Sequence, residues 1–398
     1  MTKAKRPIKI ARVSTIPFFV YSQLGKQLLD LQEKGFDVTV ISKSNNELRE
    51  FLEKNKINFI EINIERQVNL LKDLSALLSL IKVFRKNKFD IIHSTTPKAG
   101  LISALAGLIA NSPIRVHTFT GQIWTDFKGF KRDFYKFIDW LIIKINTRCL
   151  VDGHSQREYL FKNAVVTSVD KIDIIGEGSL SGVDIERFSV DSYKGEKELI
   201  KETLGITENI KLILYLGRLT EDKGIFELLL TLNFLNRKEK KYGLIIVGPQ
   251  DFINKEHQKK FQDIVDRDNM VFSYGYTSNP EKFYFISDLL CLLSYREGFG
   301  TVIIEAAAMG KPAIASKVTG LIDSIKDGVT GILVDNRNPE NVAQEINNLL
   351  SDSKRYDEIS KNARQRAIEK FNSNKHSCML AKYYYYLLNK NNNKEEAS

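Results

Sequence analysis

Apolar positions in the first half of the chain fall into short, β-branched runs, "IKIARVST", "DVTVIS", "NFIEINI", "FDIIHST", "RVHTFTG", "CLVDG" and "IDIIGEG". Bounded by turn residues, these runs predict strands. Between several of them lie stretches such as "SQLGKQLLDLQEKG" and "VNLLKDLSALLSLIKVFRKN", where apolar residues recur at three and four, the period of an amphipathic helix. Strands alternating with crossover helices predict a parallel sheet covered on both faces. A second series runs through "KLILYLG", "YGLIIVG", "MVFSYGY", "DLLCLLS", "KPAIAS" and "GILVD". The polar, turn-rich "FSVDSYKGEKELI" between the two series reads as a linker near residues 188–196. The expectation is therefore an α/β protein of two doubly wound domains in tandem, residues 1–188 and 197–372, with 373–390 a terminal helix able to pack against the first. Ligands of such folds bind beyond the carboxyl ends of the strands, so two facing domains predict a cleft between them.

Composition supports that division. A chain of 398 residues exceeds one ordinary core, and its 43% hydrophobic and 27% charged residues suit a globular fold. Only the tail "NKNNNKEEAS" reads as disordered. Cys149, Cys291 and Cys378 are odd in number and lack C-x-x-C spacing, which argues against a disulfide framework or zinc site and for a reducing, cytoplasmic compartment. Residues 1–25 start basic, but their apolar stretches are short and interrupted by Arg12, Ser14, Thr15 and Pro17, so no secretory segment is expected. "AGLISALAGLIA" falls short of the roughly 20 apolar residues that a spanning helix needs. Residues 1–190 hold 29 Lys and Arg against 20 Asp and Glu, nearly all of the net +10. That asymmetry points to an anionic partner for the first domain, a membrane surface, a phosphate-bearing acceptor or nucleic acid, or else to a merely lysine-rich surface.

Two stretches carry the candidate chemistry. In "YLGRLTEDKG" a strand ends at Gly217, Arg218 and Lys223 follow, and a helix begins after Gly224. Glycine lets a ligand approach the backbone, helix-start amides are unpaired, and the two cations add to an anion-ready terminus. In "SYREGFGTVIIEAAAMG", Glu297 lies on a glycine-rich loop and Glu305 eight positions on, in a helix starting near Thr301. At about 100° per residue the two sit roughly 80° apart and can look into one pocket, where ionised carboxylates accept from sugar hydroxyls. A lone carboxylate in the apolar run around Glu305 is costly without a partner.

These motifs, with "DGVTGILVD" and "GEGSLSGVDIERF", resemble the retaining glycosyltransferases of family 4, which carry an E-x7-E motif on the GT-B architecture, two Rossmann-like domains facing a central cleft. The likeness extends to bacterial enzymes that assemble O-antigen, capsule and other lipid-linked surface glycans. It implies that Arg218 and Lys223 grip the donor diphosphate beside Gly217, that Glu297 faces the donor sugar, and that Glu305 accepts from ribose hydroxyls. The backbone of Phe299, Gly300, Thr301 and Val302 would contact sugar hydroxyls and phosphate, and Tyr276 would lie near the base. Glu297, Arg218 and Lys223 are then the catalytic set. No metal and no cofactor besides the nucleotide sugar is expected; Asp266 and Asp268, the one D-x-D, read as turn residues.

The first domain departs from the family pattern, with "STIPFFVYSQ" for a glycine-rich loop and "TFTG" for T-x-H-G. Acceptor-side candidates rest on position: Thr15, Ile16, Thr120, Gly121, Gln122 and "TTPKAG", with His93 and Lys98 as residues following strand ends and His117 as a substitute histidine if it faces the cleft. "FKGFKRDFYKFIDWLIIK", residues 127–144, reads either as an amphipathic segment lying on an anionic bilayer or as a core-facing helix with solvated lysines. "GEGSLSG" lacks the context of a dinucleotide fingerprint. The expected activity is retaining, metal-independent transfer of a hexose or N-acetylhexosamine from a UDP-sugar to a polyprenyl-linked or growing surface glycan, in the cytoplasm and peripherally at the inner membrane face, with no nucleic-acid partner. The alternatives are a GT-B nucleotide-sugar 2-epimerase and a non-catalytic basic binding protein.

Overall fold

The computed structural model describes residues 6–65, 67–166, 171–206, 210–239 and 241–395. They form two compact units, residues 1–182 with 373–398, and residues 183–372. In the first unit β1 (Ile8–Val13), β2 (Phe36–Ser42), β3 (Asn58–Glu61), β4 (Ile91–Thr95), β5 (Ile114–Phe119), β6 (Arg148–Val151) and β7 (Ile172–Asp173) form a sheet in the order β3-β2-β1-β4-β5-β6-β7. All neighbours are parallel; Ile10, for example, sits between Val38 and Ile91. The second unit has β8 (Lys211–Leu216), β9 (Tyr242–Val247), β10 (Val271–Tyr274), β11 (Leu289–Leu292), β12 (Ala313–Ser316) and β13 (Gly331–Val334), in the order β10-β9-β8-β11-β12-β13 and again parallel. The middle strands are buried along most of their length, which is why they read as continuous apolar runs and not as alternation.

Each sheet reverses its winding once, between β1 and β4 and between β8 and β11. At such a point the loops leaving two adjacent strands diverge to opposite faces and open a crevice at the carboxyl edge. These two crevices fix where the candidate residues are to be sought.

The terminal helix, Ser373–Glu395, joins the core of the first unit, where Leu380, Tyr384 and Leu387 pack among Ile10, Leu28 and Val38. Beneath it Arg12, buried in β1, donates to the Tyr384 hydroxyl at 3.0 Å and meets His93 Nδ1 at 2.6 Å. Burial and the Arg12 charge hold the His93 pKa well below its usual value, so its ring is neutral. On the opposite face the helices Leu70–Asn87, Pro97–Ile109 and Gly129–Ile145 pack side by side in that order.

The linker expected at residues 188–196 is corrected. Val183 donates its amide to Phe371 O at 2.7 Å and bridges to Asn372, Phe188 is buried against Tyr284, and Tyr193 packs on Phe285. The aromatics in this polar segment anchor it to the second unit, and the division falls after Gly182 and again after Asn372.

Candidate active site

At the β8/β11 reversal two loops are laced together. Gly217 ends β8 with its amide on Val247 O, and Lys223 closes a short helical turn, Glu221–Lys223. Gly224 follows with φ +69°, and a Cβ there would lie 2.1 Å from Leu293 O. Only glycine therefore lets the helix Ile225–Leu235 start hard against the end of β11. Across the gap Tyr295 N donates to Asp222 O at 2.9 Å. Lys223 Nζ reaches Glu297 Oε1 at 2.7 Å and Arg296 O at 3.3 Å, and Ser294 Oγ donates to the same Glu297 oxygen at 2.9 Å. Both charged side chains are mostly buried, with 15% and 17% exposed. A desolvated pair of this kind is held by mutual neutralisation, and removing one partner leaves the other costly.

Behind Glu297, Phe299 turns its ring into the core, edge-on to Phe371 at 5.4 Å, which leaves its backbone at the loop. The helix Thr301–Ala308 then begins after Gly300 with no side-chain cap, so its first amides lack intrahelical partners. Glu305, on this helix, has different company. Tyr284 donates its hydroxyl to Glu305 Oε2 at 2.7 Å and to Val302 O at 3.2 Å. Burial raises the Glu305 pKa, opposed by the Tyr284 hydrogen bond and the Arg187 charge and reinforced by Glu281. Arg187 is itself tied to Glu281 and donates to Ser278 O at 2.6 Å. The two glutamates thus belong to two adjoining clusters.

Arg218 stands apart from both, half-exposed and paired with Asp251 at 2.8 Å. An exposed pair contributes at most about 1 kcal/mol, so this guanidinium can exchange Asp251 for an anionic ligand at little cost. Tyr276 is exposed in the loop beyond β10. Gly320 comes from a separate loop, with φ +90°, and a Cβ on it would lie 2.6 Å from Gly298 O and 2.7 Å from Glu297 O. Gly320→Ala is therefore expected to displace the Glu297 loop and lower kcat/KM about tenfold, with an unchanged circular dichroism spectrum. Wild-type turnover in that variant would show that the loop tolerates displacement.

At the β1/β4 reversal of the first unit the Thr15 and Thr96 hydroxyls meet at 3.0 Å, and Thr15 N donates to Thr96 Oγ1 at 3.4 Å. Thr96 holds φ +78°, an unfavourable conformation for a β-branched residue, immediately before the helix Pro97–Ile109. Ile16 N donates to Ser14 Oγ at 3.3 Å. Thr120 and Gly121 follow β5 partly exposed, while Gln122 is buried.

Residues 196–366 match the family described as Glycosyl transferases group 1, and residues 13–150 match Glycosyl transferase 4-like. Over 351 residues the chain is 33% identical to the capsular polysaccharide biosynthesis glycosyltransferase CapM of Staphylococcus aureus, covering 87% of this chain and 89% of that one. The chain belongs to the group 1, family 4-like glycosyltransferases. It is also 27% identical over 386 residues to an Escherichia coli UDP-Gal:alpha-D-GlcNAc-diphosphoundecaprenol alpha-1,3-galactosyltransferase, covering 94% of this chain and 95% of that enzyme. Among solved structures it superposes on a glycosyltransferase from Rickettsia africae with TM-score 0.81 at 24% identity, covering 96% of this chain and 99% of that one. The complex of Anabaena HepE with UDP and glucose gives TM-score 0.78 at 19% identity, covering 94% and 99%. These two structures share the two-domain α/β GT-B fold with this chain.

Within this glycosyltransferase several positional expectations are corrected. His93 lies inside β4, not after it, and spends both ring nitrogens internally, Nδ1 on Arg12 and Tyr384 and Nε2 on Thr118 Oγ1 at 2.7 Å. His117 is equally internal to β5, 3.0 Å from Ser94 Oγ and edge-on to Phe119, and burial lowers its pKa to about 3. It does not take the place of a loop histidine. Lys98 does lie beyond β4, in the first turn of its helix, but its ammonium is engaged by Asp73 at 2.6 Å and by Gln67 O. Asp266 accepts from Gln262 and Asp268 from Met270 N, the contacts of a helix end and turn. Among the described residues no group of three or more His, Cys, Asp and Glu is arranged to hold a metal ion.

Tyr284, Arg187, Ser294 and Asp251 escaped the sequence reading. Arg187 lay within the quoted "GVDIERF" and Ser294 within "SYREGFG", so motif position could have marked both. Nothing local marked Tyr284, 21 positions before its partner.

Proposed function

We propose that this glycosyltransferase moves a hexose or N-acetylhexosamine from a UDP-sugar to a hydroxyl of a lipid-linked or growing surface glycan, with retained anomeric configuration and without a metal ion. The observation that carries the reading is the mostly buried Lys223–Glu297 pair beside the start of the helix Thr301–Ala308. A diphosphate arriving there takes over the Lys223 ammonium, draws Arg218 from Asp251, and meets the amides of Thr301 and Val302. Positive charge already in place stabilises the negative charge that develops as the sugar–phosphate bond breaks. The C1–O bond electrons leave with the diphosphate. The acceptor oxygen bonds to C1 on the same face, and its proton passes to the departing phosphate oxygen. Released from Lys223, Glu297 accepts from donor-sugar hydroxyls, while Tyr284 fixes one oxygen of Glu305 and leaves the other for the ribose. Thr15, Ile16, Thr120 and Gly121 are proposed on the acceptor side.

The names of relatives support the substrate classes. The Escherichia coli enzyme is named for UDP-Gal and a diphosphoundecaprenol-linked sugar, and a Campylobacter jejuni relative, 24% identical over 298 residues, for another diphospho-undecaprenol acceptor. The epimerase and binding-protein alternatives have no comparable support. Among the described residues no helix is long and apolar enough to cross a membrane; a cytoplasmic protein meeting its lipid acceptor at an anionic membrane surface is the proposed setting.

The test is transfer from UDP-glucose, UDP-galactose and UDP-N-acetylglucosamine to a prenyl-diphosphate-linked sugar, with the product anomer read by NMR. An α-linked product formed equally in EDTA is expected. A β-linked product would overturn retention, and loss of turnover in EDTA restored by Mn2+ would overturn metal independence.

A further inference from the structure

Inside the first unit a buried cavity is lined from β1, β4, β5 and β6, from the helix Gly25–Glu33 and from the start of the terminal helix Ser373–Glu395. It encloses about 10 Å3, the room of about one water molecule or monatomic ion. Arg12 enters it from β1. One terminal nitrogen of its guanidinium is spent on His93 and Tyr384, whereas Nε and Nη2 have no hydrogen-bond partner although the residue is 2% exposed. His376, in the first turn of the terminal helix, is also 2% exposed, and neither of its ring nitrogens is partnered. Ser179 Oγ accepts the Gly182 amide at 3.1 Å and keeps its own proton to donate. Gln27 gives its amide group to Leu180 O at 3.0 Å, which leaves Oε1 without a donor. Aliphatic side chains such as Leu150 and Leu380 complete the wall.

The positive charge on Arg12 is unmatched. No carboxylate lines the cavity. Asp30, on the helix that carries Gln27, is neutralised by Lys26. Asp152, next to the lining residue Val151, is mostly protonated at neutral pH, because burial raises its pKa to about 8. His93 is neutral, and so is His376, whose pKa burial lowers to about 4, opposed by the nearby Ser179 backbone and reinforced by the Arg12 charge. Guanidinium stays charged at any ordinary pH. A buried cation is costly unless an opposite charge meets it. Water in the cavity would satisfy hydrogen bonds and leave that charge standing, whereas a monatomic anion accepts from Arg12, His376 and Ser179 and matches the charge as well.

We propose that a small inorganic anion of chloride size sits in this cavity as the counter-ion of Arg12, tying the terminal helix to the sheet of the first unit. The experiment is thermal unfolding of the full chain, followed by tryptophan fluorescence, as sodium chloride replaces sodium gluconate at constant ionic strength. Gluconate is too bulky for the cavity, and fixed ionic strength holds surface screening constant. Chloride is expected to raise the midpoint saturably, by about 2 to 4 °C. Arg12→Met, which keeps the length of the side chain and removes its charge, is expected to abolish the response. Crystals of the unchanged protein soaked in bromide are expected to show anomalous scattering in the cavity, within hydrogen-bonding distance of Arg12, and this measurement decides the matter if Arg12→Met does not fold. Equal midpoints in chloride and gluconate, an equal chloride response in Arg12→Met, or bromide found only at the protein surface each overturn the proposal and leave the cavity to water.

Discussion

Lys223→Ala is expected to lower kcat/KM for the nucleotide sugar about a thousandfold, most of it in kcat. Its ammonium is mostly buried and already directed at Glu297, so it can neutralise charge on a leaving diphosphate with little reorganisation, the circumstance in which one preorganised group accounts for about 3 to 4 kcal/mol of the barrier. The variant also leaves Glu297 partly buried without its cation, a defect that Lys223→Ala with Glu297→Gln relieves for folding but not for turnover. Arg218→Ala should do less, because its guanidinium is half-exposed and screened. Glu305→Ala should raise KM more than it lowers kcat, the mark of a group that binds ground and transition states alike. Steady-state kinetics separates the three. Unchanged kcat/KM in Lys223→Ala would remove this lysine from the donor site.

Asp139→Asn is expected to make the first unit more stable above pH 7 and to leave it nearly unchanged near pH 4. Asp139 is buried, accepts from Trp124 Nε1 at 2.7 Å, and burial raises its pKa from 3.8 to about 7. The unfolded chain releases this proton from about pH 4, while the folded unit keeps it until about pH 7. Within that window the unfolded state binds fewer protons, so stability falls as pH rises, by about 1.4 kcal/mol per unit and about 4 kcal/mol in all. Asparagine retains the acceptor for Trp124 and cannot ionise. Asp152, raised by burial to about 8, acts in the same direction and is untouched by the change. Both tryptophans of the chain, Trp124 and Trp140, lie in the first unit, so urea unfolding followed by tryptophan fluorescence reports on it. Equal slopes of stability against pH in the two proteins would refute the assignment.

Strand and helix runs, the two parallel series and the loop–helix motif around Glu297 were legible because each depends on residues close together in the chain. A period of two or 3.6, or a glycine before a helix start, is a local signal. Which side chain covers which was not local. Glu305 finds its partner on another helix in Tyr284. His93 is closed off by Tyr384, 291 positions later, because the terminal helix returns to lie over β1. Segment 188–196 is polar enough to read as a linker, yet Phe188 and Tyr193 hold it to the second unit. The sequence alone determined the elements, their parallel winding and the carboxylate and cation types of the loops at the β8/β11 reversal. The tertiary structure alone decided that Lys223 pairs with Glu297 while Arg218 pairs with Asp251, and that both strand histidines lie inside. Those outcomes follow from strand order and from which helix covers each face, through contacts between residues far apart in the chain.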